Sequence, residues 1–131
     1  EKLQPILSAD DLAACQRAVR TVHVDVKVRN YIAQIVHATR DHHDLRMGGS
    51  PRASIALFRT AQAIAAIGGR DFAIPDDVKR MAQPVLAHRL ILKPESRLRK
   101  RTPSALVHEI VGDVSVPVLD RERAMQKDYF A

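Results

Sequence analysis

Apolar residues recur along much of this chain at intervals of three and four positions, the spacing that places them on one face of an α-helix. A first helix is predicted from about residue 8 to residue 23, since Ser8 and Asp11 can form a capping box at its start. A second apolar stripe predicts a helix over about residues 26–40. Because only a few residues connect the two helices, they should be neighbours in the fold.

Residues 41–49 interrupt the periodicity, carry polar side chains and end in two glycines, so a surface loop is predicted there. Ser50 and Pro51 then supply the residue types preferred at the N-cap and at the first helical position. A third helix should therefore begin sharply at Ser50. It should end near Ile67, because the glycines that follow can adopt left-handed geometry.

Proline marks two further helix starts. Pro75 and the two aspartates after it predict a fourth helix. The carboxylates lie in its first turn, where the helix dipole stabilises negative charge, so they are expected to cap the helix and not to act as a catalytic pair. Pro84 should kink this helix before Leu92. Thr102 and Pro103 repeat the N-cap pattern and predict a short fifth helix.

The composition agrees with a helical domain. Hydrophobic residues make up 46% of the chain and charged residues 27%, which is typical of a folded domain, while an aromatic content of 4% disfavours sheet. A chain of 131 residues should form one compact core. We therefore predict an all-α domain over residues 1–117, a bundle of four main helices plus a short fifth, and a C-terminal tail over residues 118–131.

The chain is basic, with 21 Lys and Arg against 15 Asp and Glu, and this balance favours a polyanionic partner. Residues 93–101 hold five of the basic side chains, and such a run is more often a solvated loop than a binding site. Cys15, the only cysteine, lies on the apolar stripe of the first helix and is expected to be buried. Without a disulfide, a signal pattern or a run of about 18 apolar residues, a cytoplasmic protein without a membrane span is predicted.

Arg52 carries the most informative chemistry. It falls in the first turn of the third helix, where the dipole makes a cation unfavourable by roughly 0.3–1 kcal/mol. A bound anion would offset that cost, since helix-start N–H groups and a guanidinium both suit phosphate oxygens. From position alone, an ion pair with a neighbouring carboxylate such as Asp44, or a fully solvated side chain, is the more frequent role of such an arginine.

The histidines at positions 37, 42 and 43 are not expected to bind a metal, because their spacing is not that of a closed zinc site. His88 and Arg89 lie near the end of the predicted fourth helix, where the dipole favours cations, so they are expected to cap its C-terminal carbonyls.

A longer pattern resembles the lid domain of MoxR-type AAA+ ATPases and covers residues 22–101. It comprises His23, Val24, Asp25, Tyr31, Ile32, Ile35, Val36, Ala38, Thr39, Arg40, the run GGSPRAS at 48–54, Gly69, Arg70, Pro75, Asp76, Asp77, Val78, Val85, Leu86, His88 and Arg89. The basic residues after Leu92 depart from the family pattern, in which a more acidic stretch is usual.

This resemblance implies a function. Arg52 would be the sensor-2 arginine that contacts the phosphates of ATP. Gly49, Ser50 and Pro51 would complete that site and fix the direction from which Arg52 approaches the phosphates. Mg would be supplied through the ATPase core, which also carries the phosphate loop that this sequence lacks, so no ATPase activity is expected from the chain alone.

The resemblance also implies partners: the core domain, neighbouring subunits of a hexameric ring and, in a chaperone-like role in protein maturation, proteins with a von Willebrand A domain. Arg89 would have a second role if it faced the core or a neighbouring subunit.

Two other functions remain open from the sequence. A basic helical module could bind nucleic acid, with Arg59 and Gln62 of the third helix reading bases, although specific recognition is not expected from so few groups. Alternatively, the bundle could serve oligomerisation or protein interaction without any ligand, with Arg52 in a salt bridge.

Overall fold

The fold is seen in a computed structural model, which describes residues 4–119. Over this range the chain forms six α-helices, a single 3-10 turn and one small antiparallel sheet, in the order α1 Ala9–Thr21, α2 Val26–Asp41, β1 Leu45–Met47, α3 Pro51–Ile67, α4 Pro75–Leu86, the turn Ala87–Arg89, β2 Ile91–Leu92, α5 Pro94–Leu98 and α6 Pro103–Asp113. The predicted helical fold is confirmed. Of the predicted tail, residues 120–131 lie outside the described residues.

The core lies between α2, α3, α4 and α6, each of which turns an apolar face inward. The largest fully buried apolar side chains come from these four helices: Val28, Tyr31, Ile35, Val36, Leu57, Val78, Leu86, Leu106 and Val107. The buried side of α3 carries one residue per turn, and three of the four are alanines: Ala53, Leu57, Ala61 and Ala65. Small side chains at this spacing let α3 approach α4 closely. Within residues 4–119, the helices are too short or too polar to traverse a lipid bilayer.

The local signals for helix ends were accurate. Ser8 Oγ accepts the N–H of Asp11 at 3.1 Å, and Asp11 Oδ2 accepts the N–H of Ser8 at 3.0 Å, which completes the predicted capping box. Pro84 lies inside α4, which continues to Leu86 and then passes into the 3-10 turn Ala87–Arg89, so the helix ends earlier than the predicted Leu92. The kink at Pro84 stays a prediction.

The prediction that Cys15 of α1 is buried was wrong. Within residues 4–119, α1 contributes no buried side chain: Leu12 is 53% exposed, and Cys15 is exposed rather than buried. The helix packs at the edge of the bundle against α3. An apolar stripe predicts a face that can be covered, but it does not say whether the covering element belongs to the same chain.

Two segments predicted as loops are more ordered than expected. Residues 41–49 contain β1, which pairs antiparallel with β2, Leu45 opposite Leu92. The basic run 93–101 contains α5 and is not a free loop, because Arg99 and Arg101 bind Asp44. Strands of three and two residues are too short to show a period of two, so the sequence carried no signal for them.

Candidate functional site

The start of α3 is built against the end of α2 through two glycines. A Cβ atom on Gly48 would lie 2.5 Å from the carbonyl oxygen of Thr39 and 2.6 Å from the backbone nitrogen of Arg40, so glycine alone fits there. The N–H of Gly49 donates to Thr39 Oγ1 at 2.8 Å, and its carbonyl accepts from Arg40 Nε at 2.7 Å. The loop before α3 is therefore held to α2 through both backbone polar groups of Gly49.

The first turn of α3 leaves backbone N–H groups without a side-chain cap. Ser50 occupies the N-cap with extended backbone geometry, as predicted, but its hydroxyl accepts no N–H from the described part of the chain. Pro51 at the first position has no N–H to cap. The N–H of Ala53 bonds to the carbonyl of Ser50 at 2.8 Å. This arrangement is open to a negatively charged group from outside.

Arg52 is the cation nearest this helix start along the sequence. Its side chain is exposed, whereas the next residue, Ala53, is fully buried. Arg52 forms no hydrogen bond or ion pair with any residue between 4 and 119. Of the predicted alternatives, the ion pair with Asp44 is wrong, because Ser96, Arg99 and Arg101 bind that carboxylate, whereas a solvated side chain fits the exposure of Arg52.

Asp44 is buried at the centre of a polar cluster that joins the loop 41–49 to the basic run 93–101. Its Oδ1 accepts from Ser96 Oγ at 2.6 Å and from Arg99 at 3.0 Å, and its Oδ2 accepts from Arg101 Nε at 3.2 Å. The hydrogen bond from Ser96, together with the charges of His43 and the two arginines, holds the pKa of Asp44 below its usual value although burial opposes this. The cluster fixes the loop that precedes α3.

Three neighbouring donor groups, His42, His43 and Asp44, lie close enough to suggest a metal site, within 4.8 Å of one another. The cluster is poorly suited to a cation, since two guanidinium groups already bind Asp44 and His42 Nδ1 accepts the N–H of Asp44 at 3.2 Å. His37 lies apart and faces Asp41 at 2.9 Å. That the histidines hold no metal stays a prediction.

The polar residues at both ends of α4 have structural partners, as predicted. Asp77 accepts two N–H groups of Arg70, at 2.8 and 2.6 Å, and the N–H of Ile74 at 2.9 Å. At the other end, Arg89 Nε donates to the carbonyl of Val85 at 3.0 Å, and His88 lies 3.1 Å from that of Pro84.

Gln62 does not have the exposure that base reading requires. It is 2% exposed, and its amide donates to the carbonyl of Val22 at 2.8 Å. Arg59 donates to the Gln62 side chain at 3.2 Å and stays on the surface. The pair proposed for nucleic-acid recognition is therefore reduced to one arginine, which weakens that alternative.

Sequence reasoning identified Arg52 and the residues before it but assigned no role to Thr39 or Arg40. Both were part of the family-like pattern, at the end of a helix and ten and nine residues before Gly49. Their position before a loop that ends in two glycines was visible in the sequence, but nothing there shows that their side chains bond to Gly49.

Comparisons with known proteins agree on one family. The AAA lid domain family matches residues 37–110. The chain is 42% identical to the uncharacterized protein YeaC of Bacillus subtilis over 118 aligned residues. This alignment covers 90% of this chain and 37% of YeaC. The chain is 31% identical to the chaperone MoxR1 of Mycobacterium tuberculosis, over 86% of this chain and 32% of MoxR1. The chain thus spans about a third of the length of these relatives.

A solved structure shows the same fold. The crystal structure of a candidate ATPase from Cytophaga hutchinsonii is 28% identical and superposes with a TM-score of 0.83, covering 88% of this chain and 38% of that protein.

Proposed function

Because the chain belongs to the AAA lid domain family, among its MoxR-type members, we propose that it is the nucleotide-sensing lid of an AAA+ ATPase. Arg52 contacts the phosphates of an ATP molecule that the core domain holds. Gly49, Ser50 and Pro51 bring the open end of α3 towards the same phosphates.

The observation that carries this proposal is the isolation of Arg52. An arginine in the first helical turn opposes the helix dipole, and a compensating anion is absent among residues 4–119, where Asp44 is engaged elsewhere. Phosphate oxygens would supply that anion, and the uncapped first turn would add N–H donors. The ATP would bring Mg with it, bound through the core domain.

The wider role follows from the relatives and is part of the proposal. MoxR1 is described as a chaperone, and we assign the parent of this chain a chaperone-like role in the maturation of other proteins. Its partners would be its own core domain, neighbouring subunits of a hexameric ring and von Willebrand A domain proteins. The 131-residue chain alone should not hydrolyse ATP and should bind it at most in about the millimolar range, because it supplies one arginine and a helix end.

The test is Arg52→Ala in the full-length protein that contains this domain. The lid should stay folded, since an exposed first-turn arginine adds little to the core. The rate of ATP hydrolysis should fall on the order of 10²-fold or more, which is typical for loss of one charged donor to a transition state. Arg59→Ala, seven residues further along the exposed side of α3, is the matched control and should change little. Equal, near-normal turnover in both variants at saturating ATP would exclude Arg52 as the sensor.

A further inference from the structure

Thr39 is a fully buried polar residue whose hydroxyl joins two elements. It is 0% exposed, donates to the carbonyl of Val36 at 2.6 Å and accepts the N–H of Gly49 at 2.8 Å. The next residue, Arg40, donates its Nε to the carbonyl of Gly49 at 2.7 Å. Two consecutive side chains at the end of α2 therefore hold both backbone polar groups of a single glycine.

These two hydrogen bonds matter because, within residues 4–119, α3 lacks a side-chain N-cap of its own. The Ser50 hydroxyl caps no N–H in the described chain, so the first turn takes its direction from the residues before it. Gly48 presses against the backbone of α2 with no room for a Cβ, and Gly49 leaves 3.2 Å between an added Cβ and the Val36 side chain. Gly49 is three residues from Arg52, so the contact with α2 sets where the guanidinium can reach.

We propose that Thr39 and Arg40 are positioning residues for Arg52. This inference rests on the proposed function: neither residue touches the nucleotide, and both hold the first turn of α3 at the position from which Arg52 meets the phosphates. Groups that stabilise a transition state must be held within about 0.5 Å of their productive position. A misplacement of about 1 Å can cost on the order of 10²-fold in rate.

The experiment uses the full-length protein and compares Thr39→Val with Thr39→Ser. Valine keeps the volume and removes the acceptor for the Gly49 N–H, so we expect kcat for ATP hydrolysis to fall about 10- to 10²-fold with a smaller change in KM. Serine keeps the hydroxyl and should restore most of kcat. Thr60→Val is the control, because the Thr60 hydroxyl bonds to carbonyls of its own helix, at Ala56 and Leu57, and holds no other element.

A double-mutant cycle separates positioning from general stability. If Thr39 acts through Arg52, then Thr39→Val should slow hydrolysis little further in the Arg52→Ala background. An undiminished loss in that background, or a serine variant as slow as the valine variant, would overturn the inference and leave the proposed function standing. Normal hydrolysis by Arg52→Ala alone would instead overturn the proposed function.

Arg40→Met carries the same test if Thr39→Val fails to fold. It removes the Nε donor to Gly49 from an exposed side chain and leaves the core unchanged. Its kcat should fall in the wild-type background and not further in the Arg52→Ala background. A normal kcat for Arg40→Met, or a loss that adds fully to that of Arg52→Ala, would overturn the inference.

Discussion

Replacing Asp77 by alanine should lower the free energy of unfolding of this domain by about 3 kcal/mol. Its side chain is 5% exposed and accepts three N–H groups, two from Arg70 and one from Ile74. Removing one partner of a buried ion pair costs about 3–5 kcal/mol, because the other charge is left without compensation. The lower end applies here, since the Arg70 side chain is 28% exposed and water can solvate its guanidinium once the carboxylate is gone.

Urea denaturation followed by far-UV circular dichroism measures this loss, and the adjacent residue provides the control. Asp76 lies in the same helical turn, but its side chain is 78% exposed and its partner Lys79 is 3.5 Å away. Asp76→Ala should therefore cost less than about 1 kcal/mol. If the two alanine variants unfolded at the same urea concentration, the reasoning from burial and hydrogen bonding would be refuted.

Two further predictions concern titration and exposure. Burial alone would raise the pKa of Asp77, but the hydrogen bonds from Arg70 and Ile74 outweigh it and lower the pKa below the usual 3.8, as happens at Asp44 through Ser96. The stability that the ionised Asp77 contributes is therefore fully present above pH 3.8 and is lost as the pH falls through the lower pKa of the folded state. The urea concentration at the unfolding midpoint should drop in acid, and it should drop less steeply for Asp77→Ala. Cys15 should react with a thiol reagent at nearly the same rate in the native and urea-unfolded protein; strong native protection would contradict its exposure.

The sequence was most informative where structure depends on neighbouring residues. The start of α3 at Pro51 and that of α4 at Pro75 follow from capping and proline signals that lie within a turn of the helix end. The exposure of Cys15 could not be predicted, because an apolar stripe does not identify what covers it.

The candidate site shows the same division. The place of Arg52 in the first turn of α3 could be predicted from the local signal of Ser50 and Pro51, whereas its role as the sensor came from the family resemblance and stays a prediction. The grip of Thr39 on Gly49 spans ten residues, and the bonds from Ser96 and Arg101 to Asp44 span 52 and 57. Contacts over such separations depend on how whole helices pack, and no spacing rule in the sequence encodes them.

The attachment of Gly49 to α2 has a mechanical consequence. The loop before α3 has little freedom of its own, since Gly49 is bonded to the last turn of α2 through both its backbone groups. A displacement of the first turn of α3 would therefore have to move with the end of α2 or break these two bonds. The last turn of α2 and the start of α3 would thus behave as one mechanical unit, and only the exposed Arg52 side chain could move independently of it.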